Sequence, residues 1–138
     1  MIHESVILQL QQATHATLHL LAAELAGLGL TASDINALGN LADGTPRTVS
    51  ALGAAVGSRP ATMTGILDRL ERRGLVSRTA RPGDRRAIQI ELTPDGAEAA
   101  ATIRRTLRAL ERRALADLPT EAVDGARAVL RALTEAAR

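Results

Sequence analysis

The stretch Ser58-Arg59-Pro60-Ala61-Thr62-Met63-Thr64-Gly65-Ile66-Leu67-Asp68-Arg69-Leu70-Glu71-Arg72-Arg73-Gly74-Leu75-Val76 changes its apolar period partway along. Met63, Ile66, Leu67 and Leu70 stand at i, i+3, i+4 and i+7, the spacing of one helix face. Pro60 is tolerated in the first turn and Gly74 closes the helix. Past Gly74 the period falls to two, and residues 75–79 and 87–92 read as strands. In the second strand Ile88, Ile90 and Leu92 point one way and Gln89 and Glu91 the other. Between the strands, Arg81-Pro82-Gly83-Asp84-Arg85-Arg86 is a polar hairpin tip with Pro-Gly turn residues, so a wing follows the helix.

Upstream, a short helix from Thr48 places Val49, Leu52 and Val56 on one face, Gly57 stands where a left-handed C-cap belongs, and Ser58 is placed to cap the next helix. Two short helices joined through one glycine form a helix-turn-helix. Before them, Thr31-Ala32-Ser33-Asp34 is an N-cap with an acid three residues on, Ile35, Leu38 and Leu41 supply a buried face, and Asp43-Gly44-Thr45-Pro46 is a turn.

Three further amphipathic segments flank this lobe. Leu18, Leu21, Leu25 and Leu28, with Ile7 and Leu10 before them, lay a stripe along a first helix that stops at residues 27–29. Thr93-Pro94 restarts helix, carrying Ile103, Leu107, Leu110 and Ala114, and a last helix from about Thr120 carries Val123, Ala126, Leu130 and Leu133. A chain this small does not easily cover three apolar stripes alone, and a two-fold partner is the economical solution. The expected fold is mainly α with a small antiparallel β-hairpin wing. It is a winged helix-turn-helix with terminal dimerisation helices in a single domain over 1–138. Residues 31–93 form the lobe, and 1–30 and 94–138 form the dimerisation helices.

At 138 residues, 46% hydrophobic and 23% charged, the composition is that of an ordinary globular domain, and no apolar run approaches a membrane span. Met1-Ile2-His3-Glu4-Ser5 lacks the basic and apolar regions of a secretory signal, which predicts a cytoplasmic protein without a membrane partner. With no cysteine, disulfides, cysteine-ligated zinc and a thiol nucleophile are excluded. All 17 basic residues are arginine, and Phe, Tyr and Trp are absent. A net charge of +2 says little about partners, but its distribution is informative: residues 47–86 hold nine arginines against three carboxylates, an excess of six.

With these elements in this order, the chain resembles the MarR transcriptional regulators along nearly its whole length. The resemblance rests on Ile66-Leu67-Asp68-Arg69-Leu70-Glu71-Arg72-Arg73-Gly74-Leu75-Val76, and on Asp84-Arg85-Arg86 followed by Leu92-Thr93-Pro94-Asp95-Gly96. It implies dimers built from the terminal helices, recognition helices in successive major grooves of double-stranded DNA, and wings reaching the flanking minor grooves. It implies that one of Arg85 and Arg86 inserts while Asp84 holds the other, and it suggests release by a small-molecule effector, often an anionic aromatic compound. The expected function is a sequence-specific DNA-binding repressor acting as a homodimer on a pseudo-palindromic operator.

The residues themselves assign the contacts. Opposite the buried stripe, the second helix of the motif shows Ser58, Ala61, Gly65 and Arg72, flanked by Thr62 and Arg69. Small side chains at Ala61 and Gly65 let backbone approach base edges, and Ser58, Arg59, Thr62 and Thr64 near the N-terminus can bond bases or phosphates. Gly65 stands where many members of the resembled family carry a larger polar residue, so base specificity is not read from it. Arg72 and Arg73 suit phosphates or local ion pairs. A guanidinium at Arg85 or Arg86 suits the negative potential of a narrow minor groove. Arg104, Arg105, Arg108, Arg112 and Arg113 read as a solvated helix face.

His15 and His19 share a helix face and are weak candidates for a ligand site; no metal site and no cofactor are expected. No aromatic side chain can stack on an effector, so any pocket needs aliphatic walls with an arginine for an anion. Two other classes compete. An enzyme needs a nucleophile with a neighbouring base, and Ser5, Ser33, Ser50, Ser58 and Ser77 fall mostly at caps or surfaces. A winged helix serving as a protein-interaction module without specific DNA binding is the other, and the arginine-tipped hairpin argues against it.

Overall fold

The computed structural model describes residues 5–138, the side chain of Arg85 excepted; His3 and most of the stretch read above for targeting lie outside the described residues. The chain divides into two compact units, Met1–Thr106 and Leu107–Arg138.

In the first unit, α1 (Val6–Glu24) ends in a 3-10 turn, Ala26–Leu28, and Gly29 follows in the left-handed region at φ 63°. Only Leu21 and Leu25 of its stripe are buried; Ile7 and Leu18 are exposed. The capping box at Thr31 forms as the sequence predicts: the Asp34 N–H donates to Thr31 Oγ1 at 3.1 Å and opens α2 (Ala32–Leu41). Ile35, Leu38 and Leu41 turn inward from it.

The Asp43 turn leads to a strand the sequence reading lacks, β1 (Arg47–Thr48), and then to α3 (Val49–Val56), capped by Thr48 Oγ1. At Gly57 (φ 75°) the chain reverses, and the N–H groups of Gly57 and Ser58 both reach the Gly53 carbonyl, at 2.9 and 3.0 Å. Ser58 is therefore held in the turn, and the N-cap of α4 (Pro60–Arg72) is Arg59, whose side chain makes no capping bond. This corrects the expected Ser58 cap. Gly53 lets α3 and α4 approach: a Cβ there would stand 3.2 Å from Met63 Cγ.

The sheet is antiparallel in the order β1, β3, β2, where β2 is Val76–Arg81 and β3 is Asp84–Leu92. The ladder runs from Val76 opposite Leu92 to Ala80 opposite Ile88, with a bulge before Arg81 pairs with Asp84. The strands thus extend to a turn of Pro82 and Gly83 alone, a tighter tip than the six residues read as loop. Of the β3 side chains read as apolar-facing, Ile90 is buried, Leu92 is half-buried and Ile88 is exposed.

Leu38, Leu41, Leu52, Met63, Ile66, Leu67, Leu70, Ile90 and Ile103 are less than 2% exposed, so all four stripe residues of α4 lie in the core as their spacing predicts. The α5 helix (Pro94–Leu115) is capped by Thr93, whose Oγ1 accepts the Gly96 N–H at 3.0 Å and donates to the Gly74 carbonyl. Gly96 is packed so closely there that a Cβ would fall 1.7 Å from the Leu75 carbonyl oxygen.

The second unit holds the end of α5 and α6 (Thr120–Ala136). Its Leu115, Leu118, Val129 and Leu130 are exposed. Among the described residues, no helix is long and apolar enough to cross a membrane.

Candidate nucleic-acid interface

The α4 helix has two faces with different chemistry. Met63, Ile66, Leu67 and Leu70 anchor one in the core; on the other, Ala61, Thr62, Thr64, Asp68 and Arg72 are exposed and Gly65 and Arg69 are half-buried. Pro60 stands in the first turn, where its missing N–H costs no helix bond, and Arg69 and Arg72 in the last turn suit the negative end of the helix dipole. The Thr64 hydroxyl donates back to the Pro60 carbonyl at 3.1 Å, and its lone pairs remain open to a donor. Beside the N-terminal end of α4, a cavity of about 470 Å³ is lined by Val49, Ser50, Gly53, Ala54, Ser58, Pro60 and Met63.

The arginines of the lobe divide by what they touch. Arg47 pairs with Asp43 at 3.0 Å. The Arg69 guanidinium bonds Asp34, 3% exposed, at 2.9 Å. Arg73 donates to the carbonyls of Gly29 and Leu28, each at 2.8 Å. Arg78 lies between Asp68 and Glu71 and ties the base of the hairpin to α4. These four hold the fold together. Arg72 is exposed, with its Nε on the Asp68 carbonyl at 3.2 Å, and its guanidinium tip free to reach outward. Among the described residues, Arg59, Arg81 and Arg86 make no side-chain hydrogen bond or ion pair. Arg59 stands at the N-cap of α4, and Arg81 and Arg86 flank the hairpin turn.

Of the residues singled out in the sequence, Ala61, Thr62, Thr64, Gly65 and Arg72 come to the outer face of α4, with Arg59 at its N-cap and Arg72 at its last residue. Ser58 is half-buried in the turn. Arg69 leans off that face onto Asp34, so the contact found for it is with the fold. At the hairpin, Asp84 Oδ1 accepts the backbone N–H of Arg86 at 3.0 Å, an anchor for the turn backbone. Two features were missed. Asp34, read only as a capping acid, is also the counter-ion of Arg69. A cavity of about 340 Å³ opens beside that pair, lined by Gly29, Thr31, Asp34, Arg69, Arg72 and Arg73. The signal for both was Asp34 itself, an acid placed on the inward face of an apolar helix.

One carboxylate of the lobe has a shifted proton affinity. The Thr45 N–H bonded to Asp43, helped by the Arg47 guanidinium, holds the Asp43 carboxyl below its ordinary value. His15 and His19 are exposed on α1 with their rings edge to face. Among the described residues no group of three or more His, Cys, Asp or Glu side chains could hold a metal ion.

Comparison with known proteins agrees with this architecture. Residues 30–88 match the model of the MarR family. The chain is 36% identical over 63 residues, 46% of its length, to the uncharacterized HTH-type transcriptional regulator YcgE of Bacillus subtilis (strain 168), and that match spans 41% of the relative. A probable transcriptional regulator from Pseudomonas aeruginosa is 31% identical, with 94% of this chain and 97% of that one covered at a TM-score of 0.72. CouR from Rhodococcus jostii RHA1, solved with p-coumaroyl-CoA bound, is 26% identical, with 95% and 92% covered at a TM-score of 0.85. These are transcriptional regulators, not enzymes. With the core, wing and terminal helices all in place, the chain belongs to the MarR family of winged-helix, DNA-binding transcriptional regulators.

Proposed function

We propose that the protein is a repressor that binds a pseudo-palindromic operator as a homodimer, with the exposed face of α4 in the major groove and the hairpin arginines at the minor groove. The observation that carries this reading is the sorting of the arginines. Within residues 31–93, the arginines within reach of a carboxylate or a carbonyl are engaged, while Arg59, Arg81 and Arg86 have no partner among the described residues at the start of α4 and at the hairpin turn. Unpaired guanidiniums flanking a helix face of small and hydroxyl side chains suit phosphates at the edges and bases between. Ser58, Arg59, Ala61, Thr62, Thr64, Gly65 and Arg72 form the helix contact, and Asp84, Arg85 and Arg86 the wing contact. Arg69 acts through α4, as its anchor to Asp34.

Dimerisation falls to the terminal helices, 1–30 and 94–138, within a single functional domain. The exposed Ile7 and Leu18 of α1 and Val129 and Leu130 of α6 support this, since a second copy covers them at no cost in lost solvation. A small-molecule effector that releases the operator belongs to the same reading, supported by the bound p-coumaroyl-CoA of the similar CouR. Here it meets aliphatic walls and arginine, because the chain has no Phe, Tyr or Trp. The site of action is the cytoplasm.

Selection of bound duplexes from a random DNA pool at near-physiological salt tests the proposal. An enriched inverted repeat with half-sites about one helical turn apart is the expected result. A folded, dimeric preparation that enriches nothing would overturn it.

A further inference from the structure

We propose that His15 and His19 form a two-ligand site for a tetrahedral divalent transition metal ion of the zinc type on α1. The residues lie one turn apart, both are exposed, and their ring centroids are 5.4 Å apart with the planes at 76°. A zinc ion holds each imidazole nitrogen at about 2.0–2.1 Å, which sets each ring centroid about 3.2 Å from the metal, and a tetrahedral angle then separates the centroids by about 5.2 Å. The spacing in the free protein is close to that value.

The position on the helix keeps the pair available. At about 100° per residue, His15 and His19 lie roughly 100° around α1 from the stripe of Leu18, Leu21 and Leu25. A partner that covers the stripe leaves the histidines at its margin. No third His, Cys, Asp or Glu joins them among the described residues. Water fills the remaining two positions, and the ion exchanges readily instead of serving as a structural, four-ligand centre.

Calorimetric titration of zinc ion into the full-length protein tests this, in a non-coordinating buffer near neutral pH where imidazole is available as a ligand. The parent carries His3→Ala, which removes the one other histidine. One zinc per chain is expected, with His15→Ala and His19→Ala each weakening binding at least about tenfold and the double variant abolishing it. Circular dichroism checks that the variants stay helical. A parent that binds no zinc, or a double variant that binds it as the parent does, overturns the assignment.

Discussion

Asp34 and Arg69 meet at 2.9 Å across 35 positions of sequence, joining the first turn of α2 to the far end of α4. The Asp34 carboxylate is 3% exposed, and its other oxygen accepts the Thr31 N–H, so both oxygens are engaged. Burial of a carboxylate is tolerable only when it is bonded in this way. The ion pair thus ties the end of α4 to the first turn of α2, in addition to the apolar stripe that sets which face of α4 points outward.

Asp34→Ala removes a helix cap partner, worth about 1 kcal/mol, and a charge-assisted hydrogen bond, worth about 1.5 kcal/mol where the guanidinium is partly exposed. Urea denaturation should register a loss of about 2–3 kcal/mol, with Asp34→Asn losing less because an amide oxygen still caps. A wild-type midpoint in Asp34→Ala would mean that the pair contributes nothing to the lobe.

Two glycines predict opposite outcomes. A Cβ on Gly96 falls 1.7 Å from the Leu75 carbonyl oxygen, which belongs to backbone and cannot swing away. Gly96→Ala should destabilise by about 3 kcal/mol, the upper part of the overpacking range. At Gly65 the nearest atom to a new Cβ is Arg69 Nη1 at 3.6 Å, an ordinary contact, and Gly65→Ala should raise stability by about 0.5–1 kcal/mol through helix propensity. Thermal melts of the two variants decide both.

The same distinction explains what the sequence makes legible. The α4 register is readable because four large apolar residues at helical spacing admit one buried face, and Gly57 and Gly74 mark its limits because both take positive φ. The β1 strand is invisible because two residues carry no period; it exists through backbone pairing of Arg47 with Ile90 and Thr48 with Gln89. The hairpin reads too short for a related reason, since beyond Thr79 only Ala80 and Arg81 remain, paired with Ile88 and Asp84 across a bulge, too few residues to carry a period. Ser58 looks like a cap until the Gly57 reversal commits its N–H to Gly53. The partner of Arg69 is hidden by distance: α2 and α4 must be packed before Asp34 faces it.

Asp43 offers a test by pH. The Thr45 N–H and then the Arg47 guanidinium favour its ionised form, so its folded-state value lies below the ordinary 3.8. A depressed carboxylate adds stability that is complete above the unfolded value and is lost as pH falls through the folded one. Carbon-detected NMR titration should place the Asp43 midpoint below 3.8, and Arg47→Ala should move it back up. A midpoint at or above the ordinary value would show that the turn does not persist in solution.

Arg86 and Arg73 separate the wing's role from the fold's. The Arg86 side chain has no partner among the described residues, so Arg86→Ala should leave the melting temperature unchanged. On the selected operator it should weaken binding at least about tenfold and make the log-log salt dependence shallower by about one ion. Arg85→Ala in parallel assigns which arginine enters the groove. Arg73→Ala should do the reverse, lowering stability because its guanidinium bonds the Gly29 and Leu28 carbonyls at the end of the 3-10 turn. If Arg86→Ala and Arg85→Ala both bind as tightly as the parent, the hairpin takes no part in DNA contact, and α4 alone must supply the affinity.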